Sequence, residues 1–211
     1  MMKISVIGAG NVGGTLAKKW GAKGHSIFLG VRDPNGGEAK KLAAEIGSQS
    51  SIHSPKDAAQ KAEVICLATP WPSTEEAVKS LGDLTGKVVI DCTNPLKKDL
   101  SGLTHGFETS GGEQVQSWAK GSRVVKCFNT VGFNIMADPV LEGRKVAMFY
   151  CGDDQAAKDI VRKLVVDIGF EPQDAGPLSF ARVLEPHALL WISAAYKFGL
   201  GRDFAFSIVR K

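Results

Sequence analysis

The chain has 211 residues, 44% apolar and 23% charged, with a formal net charge of +4. That is the balance of an ordinary globular chain, long enough for one well-buried domain or for one domain with a small appendage. No run of Lys or Arg reads as a nucleic-acid arm, and no apolar run approaches the ~18 residues needed to cross a bilayer, so neither nucleic acid nor membrane is expected as a partner.

Met1–Lys3 leads straight into a strand-like run, Lys3–Ile7, rather than into a secretory leader, and a cytoplasmic protein is expected. Gly8, Gly10 and Gly13 follow as GxGxxG, and a helical pattern runs over Asn11–Lys23 to a stop at Gly24. The three glycines do different things. Gly8 permits the tight turn, Gly10 lets a pyrophosphate approach the backbone, and Gly13 lets helix and strand pack closely. The helix start offers free N–H groups and partial positive charge to phosphates.

The second strand, Ser26–Leu29, ends "FLGVRD". A site for NAD places an acidic residue about 20 residues past the glycines, on the ribose hydroxyls. Val31 stands near that point and accepts no hydrogen bond; Arg32 follows with a guanidinium suited to phosphate. This pattern selects NADP, with Asp33 as the counter-signal that could swing in or pair with Arg32.

Further along, Glu38–Ile46 reads as a helix stopped by Gly47, and Ser54 caps a helix that begins at Pro55. Strands are expected over Val64–Ala68, Val88–Asp91, Arg123–Cys127, Val146–Cys151 and, more weakly, Glu171–Ala175. Helices are expected over Ser73–Leu81, Glu113–Ala119, Gln155–Ile168 and Ser179–Lys197. Strand–helix alternation of this kind implies a doubly wound, mostly parallel sheet. The expected organisation is an NADP-binding domain over 1–178 and a helical tail over 179–211, packed on that domain or on a partner subunit.

Three later strand ends face the crevice that such a sheet opens at its carboxyl edge. They carry Ala68, Thr69, Pro70 and Trp71; then Thr93, Asn94 and Pro95; then Asn129, Thr130 and Gly132. A small residue at 68 would let the nicotinamide half pass closely, and the Asn and Thr side chains are neutral hydrogen-bonding groups equally at home in turns and caps. The long polar stretch 94–112 breaks the rhythm and reads as a functional or mobile loop.

No catalytic acid, base or metal set is expected. His25 and His53 read as exposed scaffold, His187 as a packed tail residue, and His105, in the crevice loop, as a residue that could touch substrate. Lys126 reads as facing solvent or capping the sheet edge. Cys66, Cys92, Cys127 and Cys151 lie in apolar runs without metal-ligand spacing and read as buried hydrophobes of a reducing compartment. Hydride transfer between two bound ring cofactors needs no protein acid or base and fits this sparse inventory.

"ISVIGAGNVGGTLA", "GVR", "ATPW", "VVIDCTNPL", "RVVKCFNTVGF" and "DAGPLSFARVLEPHALLWISAAY" together resemble the NADP oxidoreductase, coenzyme F(420)-dependent family, the deazaflavin reductases whose fold also forms the reductase domain of the STEAP metalloreductases. The resemblance implies a Rossmann-type domain with a short C-terminal helical cap, a homodimer, and a flavin-like ring stacked on the nicotinamide. Carried over by position, Gly10, Asn11 and Val12 hold the pyrophosphate, and Val31 and Arg32 the 2′-phosphate, with Lys40 the next basic candidate. Ala68 and Trp71 line the nicotinamide half, and Asn94 and Asn129 the crevice. The expected function is NADPH-dependent hydride transfer to a flavin or deazaflavin. A reductase of small carbonyls or imines, with His105 or a tail residue as donor, and a non-catalytic NADP-sensing module are the alternatives.

Overall fold

The computed structural model describes residues 1–208, so the last three residues of the expected tail, 209–211, lie outside the described part. In chain order the elements are β1 (Lys3–Ile7), α1 (Asn11–Ala22), β2 (Ser26–Gly30), α2 (Gly37–Ile46), β3 (Ser50–His53), α3 (Pro55–Lys61), β4 (Val64–Leu67), α4 (Thr74–Ser80), β5 (Val88–Asp91), α5 (Gly111–Trp118), β6 (Arg123–Cys127), α6 (Phe133–Ala137), β7 (Val140–Leu141), β8 (Arg144–Lys145), β9 (Ala147–Gly152), α7 (Gln155–Ile168), β10 (Glu171–Asp174) and α8 (Ala181–Tyr196).

Eight strands form one sheet in the order β10-β9-β6-β5-β4-β1-β2-β3. Neighbours run parallel except at the β6–β9 junction. The chain builds outward from β1 to β2 and β3, then returns to lay β4 against the other side of β1. The crevice of a doubly wound sheet opens at this reversal.

The strands are short apolar runs because helices cover both of their faces. With side chains alternating, Ile4, Val6, Val64, Cys66, Val88 and Ile90 point to the side of α1 and α7, into a core with Leu16, Trp20, Val161 and Leu164. Ile7, Ile65, Leu67 and Val89 point to the other side, against Ala58, Val78, Leu81 and Val115 of α3, α4 and α5. Trp20 donates its indole N–H to the Leu164 carbonyl at 3.1 Å, which satisfies the polar end of a fully buried side chain.

Among the differences from the sequence expectation are two elements and one residue. β3 is a half-buried edge strand with two serines, so it lacks the apolar signature of the central strands. α6 is a five-residue helix starting from Gly132. His25 is not exposed scaffold: it is buried, its Nδ1 accepts from the Met2 N–H at 3.1 Å, and its Nε2 meets Asp167 Oδ2 at 3.1 Å. The imidazole therefore ties the chain start and the beginning of β2 to α7.

Candidate functional site

The turn after β1 is built from backbone approaches that only glycine allows. Gly8 has φ +95°, and a Cβ there would lie 2.6 Å from the Ala68 carbonyl oxygen. A Cβ on Gly13 would lie 2.0 Å from the Gly8 carbonyl oxygen. Gly10 differs: a Cβ there would meet nothing within 4 Å. Gly10 is also the N-cap of α1 and brings no side chain to cap it, so the first-turn N–H groups, including those of Asn11 and Val12, face an open surface. A cavity of about 380 Å³ adjoins this turn, lined in part by Ala9, Gly10, Asn11, Lys18 and Lys41. Glu38 and Glu45 line it as well, and Glu45 pairs with Lys18 at 3.1 Å, so the attraction for a phosphate comes from the free N–H groups of the helix start rather than from net side-chain charge.

At the end of β2, Val31 donates its N–H to the His53 carbonyl at 3.1 Å, which fixes the turn on the edge strand. Arg32 is exposed and makes no ion pair among the described residues. Asp33 does not pair with it: its Oδ1 accepts from the Asn35 N–H at 3.0 Å, as in an Asx turn. Lys40 is exposed on α2.

Next to the glycines, the β4 end places Ala68 under Gly8. The Thr69 and Thr74 hydroxyls meet at 3.0 Å, and Thr74 Oγ1 donates to the Pro70 carbonyl at 3.1 Å, securing the 3-10 turn Trp71–Ser73. Trp71 stands between two rings, with centroids 5.5 Å from Trp118 and 5.4 Å from His105. Pro95 is buried under the start of α5, its Cδ 3.2 Å from where a Cβ on Gly111 would stand.

The ends of β5 and β6 hold a group that sequence reading misplaced. Lys126 neither faces solvent nor caps an edge: it is fully buried. Its ammonium donates to Asp91 Oδ2 at 2.8 Å and to the Thr93 carbonyl at 2.6 Å, and it lies 2.7 Å from Glu185 Oε1. Asp91 Oδ1 takes the Thr93 N–H and hydroxyl at 2.9 and 2.7 Å. Glu185, from α8, accepts the Gly111 and Gly112 N–H groups at 2.9 Å each. Burial opposes the charge on Lys126, but the two carboxylates outweigh it and hold the ammonium protonated above the ordinary lysine range. The cluster has one charge in excess, negative, and four backbone or hydroxyl donors spread it.

Asn94 and Asn129 bind each other rather than standing free. Asn94 donates its amide N–H to the Asn129 carbonyl at 2.9 Å, and Asn129 donates to Asn94 Oδ1 at 3.0 Å and to the Leu184 carbonyl at 3.2 Å. Outside the cluster, Arg182 forks onto Glu113, donating from Nε at 2.9 Å and from Nη2 at 2.6 Å. Those hydrogen bonds hold the Glu113 carboxyl below its ordinary range. The tail helix is thus pinned to α5 and to the strand ends by charge.

Beside Trp71 the loop and α8 enclose a second cavity, of about 330 Å³, lined by Leu103, Thr104, His105, Phe107, Pro186 and Leu189. Thr104 Oγ1 donates to the Pro95 carbonyl at 3.1 Å and also meets His105 Nδ1 at 3.0 Å, which orients the imidazole with Nε2 away from that contact. Among the described residues no group of His, Cys, Asp and Glu has the arrangement of a metal site. No helix among them is long and apolar enough to cross a membrane. The four cysteines are free and buried.

The family model described as NADP oxidoreductase, coenzyme F420-dependent, matches residues 3–95. The chain is 32% identical to the F420-dependent NADP reductase of Methanocaldococcus jannaschii over 93% of its own length and 94% of that protein's. It is 31% identical to the metalloreductase STEAP3 of Rattus norvegicus over 87% of its own length, and spans 36% of that longer protein. A solved structure from Arthrobacter sp. FB24, described as a candidate F420-dependent NADP reductase, superposes with a TM-score of 0.90 at 31% identity, covering both chains completely.

Proposed function

Because the chain belongs to the coenzyme F420-dependent NADP oxidoreductase family and is an NADP-dependent oxidoreductase, we propose that it passes hydride between NADP(H) and a flavin or deazaflavin ring. The observation that carries this reading is the pairing of an open phosphate cradle at Gly10 with strand ends whose strong charges are consumed by one another, Lys126 by Asp91 and Glu185. Hydride transfer between stacked rings asks the protein for distance and orientation rather than for a proton relay.

On this reading Gly10, Asn11 and Val12 hold the pyrophosphate through backbone N–H groups in the turn that Gly8 and Gly13 shape, and Arg32, with Lys40 behind it and Val31 giving no carboxylate to repel it, holds the 2′-phosphate. Ala68, Thr69, Pro70 and Trp71 line the nicotinamide half, with Asn94, Pro95 and Asn129 at the adjoining strand ends. When bound, NADPH supplies a hydride from its dihydronicotinamide ring. The chain's part is to bind the dinucleotide along the strand ends and to shield the reacting faces from water.

Residues 1–178 serve as the NADP-binding domain, and the described part of the tail, 179–208, packs against it. The exposed apolar residues Val183, Leu190 and Tyr196 of α8, with Phe198 and Leu200 after it, suit burial in a homodimer. Four free, buried cysteines favour a reducing, cytoplasmic setting.

The test is NADPH oxidation followed at 340 nm with FMN, FAD, a deazaflavin, ferric chelates, and a set of small ketones and imines. Turnover with a ring compound is the expected result. Turnover confined to carbonyl or imine substrates overturns the acceptor assignment, and tight NADPH binding with no turnover on any of them makes the chain an NADP sensor.

A further inference from the structure

Within the long loop, Phe107 is held in two unfavourable states at once. Its φ is +58°, in the left-handed region that a bulky side chain rarely adopts. The Glu108 N–H closes back on the Gly106 carbonyl at 2.8 Å, so Phe107 is the centre of a γ-turn of the strained, positive-φ kind. The ring that this strain presents is 86% exposed and packs into no core. A glycine at 107 would fit the turn without strain, and burial of the ring would at least return something for it; neither occurs. Strain of this kind persists where the surroundings fix it, and it points to function.

The part of the loop that leads to Phe107 is tied down. Lys97 and Gly102, and Pro95 and Thr104, are joined across the loop by backbone hydrogen bonds of 2.9 and 2.7 Å. Lys197, just past α8, donates to the Leu100 carbonyl at 2.7 Å. Phe107 stands on the wall of the 330 Å³ cavity with His105, Pro186 and Leu189. His105 touches Trp71, which stands four residues past β4, so the wall of the cavity adjoins the aromatic group that follows that strand end. Its volume is at the small end for a ligand site, enough for a planar ring system and too little for a whole dinucleotide.

We propose that Phe107 is the stacking residue of the acceptor site: the γ-turn holds its ring out so that a planar, largely apolar heteroaromatic acceptor lies against it in the cavity between residues 103–107 and α8. This rests on the ring-acceptor reading above. The imidazole of His105, with Nδ1 committed to Thr104, offers Nε2 to a polar edge of the same ring.

Phe107→Gly and Phe107→Ala separate this from a structural role. Both remove the ring, and only glycine relieves the backbone. The glycine variant should melt at or above the alanine variant, by about 2–4 °C, and close to the wild type. Equilibrium titration with FMN and with a deazaflavin, each in the presence of saturating NADP+ and read by fluorescence, should show binding weakened about fivefold to tenfold in both variants. Binding of NADPH alone should be unchanged, and Phe107→Trp should restore the acceptor. If FMN and deazaflavin binding are unaltered in both variants, the placement of Phe107 is wrong. If the wild type itself binds neither ring while holding NADPH, the ring-acceptor reading fails and this one with it.

Discussion

Replacing Lys126 by Met tests the buried cluster most sharply, because it removes the one cation from a fully buried site and leaves Asp91 and Glu185 facing the gap. Removing one partner of a buried ion pair costs about 3–5 kcal/mol. Here each carboxylate keeps two other donors, Thr93 N–H and hydroxyl for Asp91, Gly111 and Gly112 N–H for Glu185, so the cost lies at the lower end, about 3 kcal/mol. For a chain of this size that is a fall of roughly 6–12 °C in melting temperature. The pH dependence gives the sign. In the wild type the folded state raises the ammonium pKa, so its contribution is complete at every pH below the unfolded lysine value, about 10.4, and is lost only as the pH climbs past it. In the variant the penalty comes from unpaired negative charge, and protons relieve it. Urea unfolding at about pH 8 and pH 5.5 should show the deficit shrinking on acidification. Adding Asp91→Asn, which leaves Oδ1 on Thr93 and removes one negative charge, should recover about 1–2 kcal/mol of the single variant's loss. A Lys126→Met protein within about 1 kcal/mol of wild type at both pH values, or one whose deficit grows on acidification, refutes the reasoning.

Gly10→Ala should fold with an unchanged melting temperature yet lose at least about tenfold in NADPH affinity, whereas Gly13→Ala, whose Cβ would lie 2.0 Å from the Gly8 oxygen, should lose stability as well; calorimetry and titration on the two variants check this. Arg32→Ala should weaken NADPH by about 10–100-fold, the worth of a charged hydrogen bond to phosphate, with NADH affinity unchanged; equal losses for both nucleotides would count against a 2′-phosphate contact. The thiols should be inert in the native state, since burial pushes Cys151 up to about 12 and Cys92 and Cys127 well above the ordinary thiol range. A disulfide-exchange reagent should titrate fewer than about one thiol before denaturant is added and all four afterwards.

The sheet could be read from the chain because its central strands are covered on both faces, so that "VVID" and "RVVKC" are nearly unbroken apolar runs. The glycine turn was legible for a similar reason: its close approaches are local, and each requires a missing side chain. β3 escaped because an edge strand needs only one covered face and can be built from Ser50, Ser51 and His53. Lys126 was misplaced because a lone lysine near a strand end normally lies at the surface. A signal did exist: Asp91 and Lys126 end consecutive strands of the sheet and stand as register partners, which puts opposite charges side by side in an apolar setting. The third member lies 59 positions away on another helix, and no periodicity links it to the strands. The tail pattern "ARVLEP" was visible as a resemblance, and its physical content emerges only in three dimensions: Arg182 grips Glu113, Glu185 completes the ionic cluster, and Pro186 walls the second cavity.

The Glu185 clamp also constrains the order in which the chain can be finished on the ribosome. Asp91 and Lys126 can meet as soon as β6 is made, but the Gly111 and Gly112 N–H groups, buried at the head of α5, find their acceptor only when residue 185 has emerged. Until then those N–H groups lack their acceptor beside a lysine that Asp91 alone neutralises, and the loop 94–110 runs into an unclamped helix start. The wall beside the second cavity, which includes Pro186 and Leu189, therefore locks late. A chain ending before Glu185 would lack both the clamp and the Pro186 and Leu189 side of that cavity.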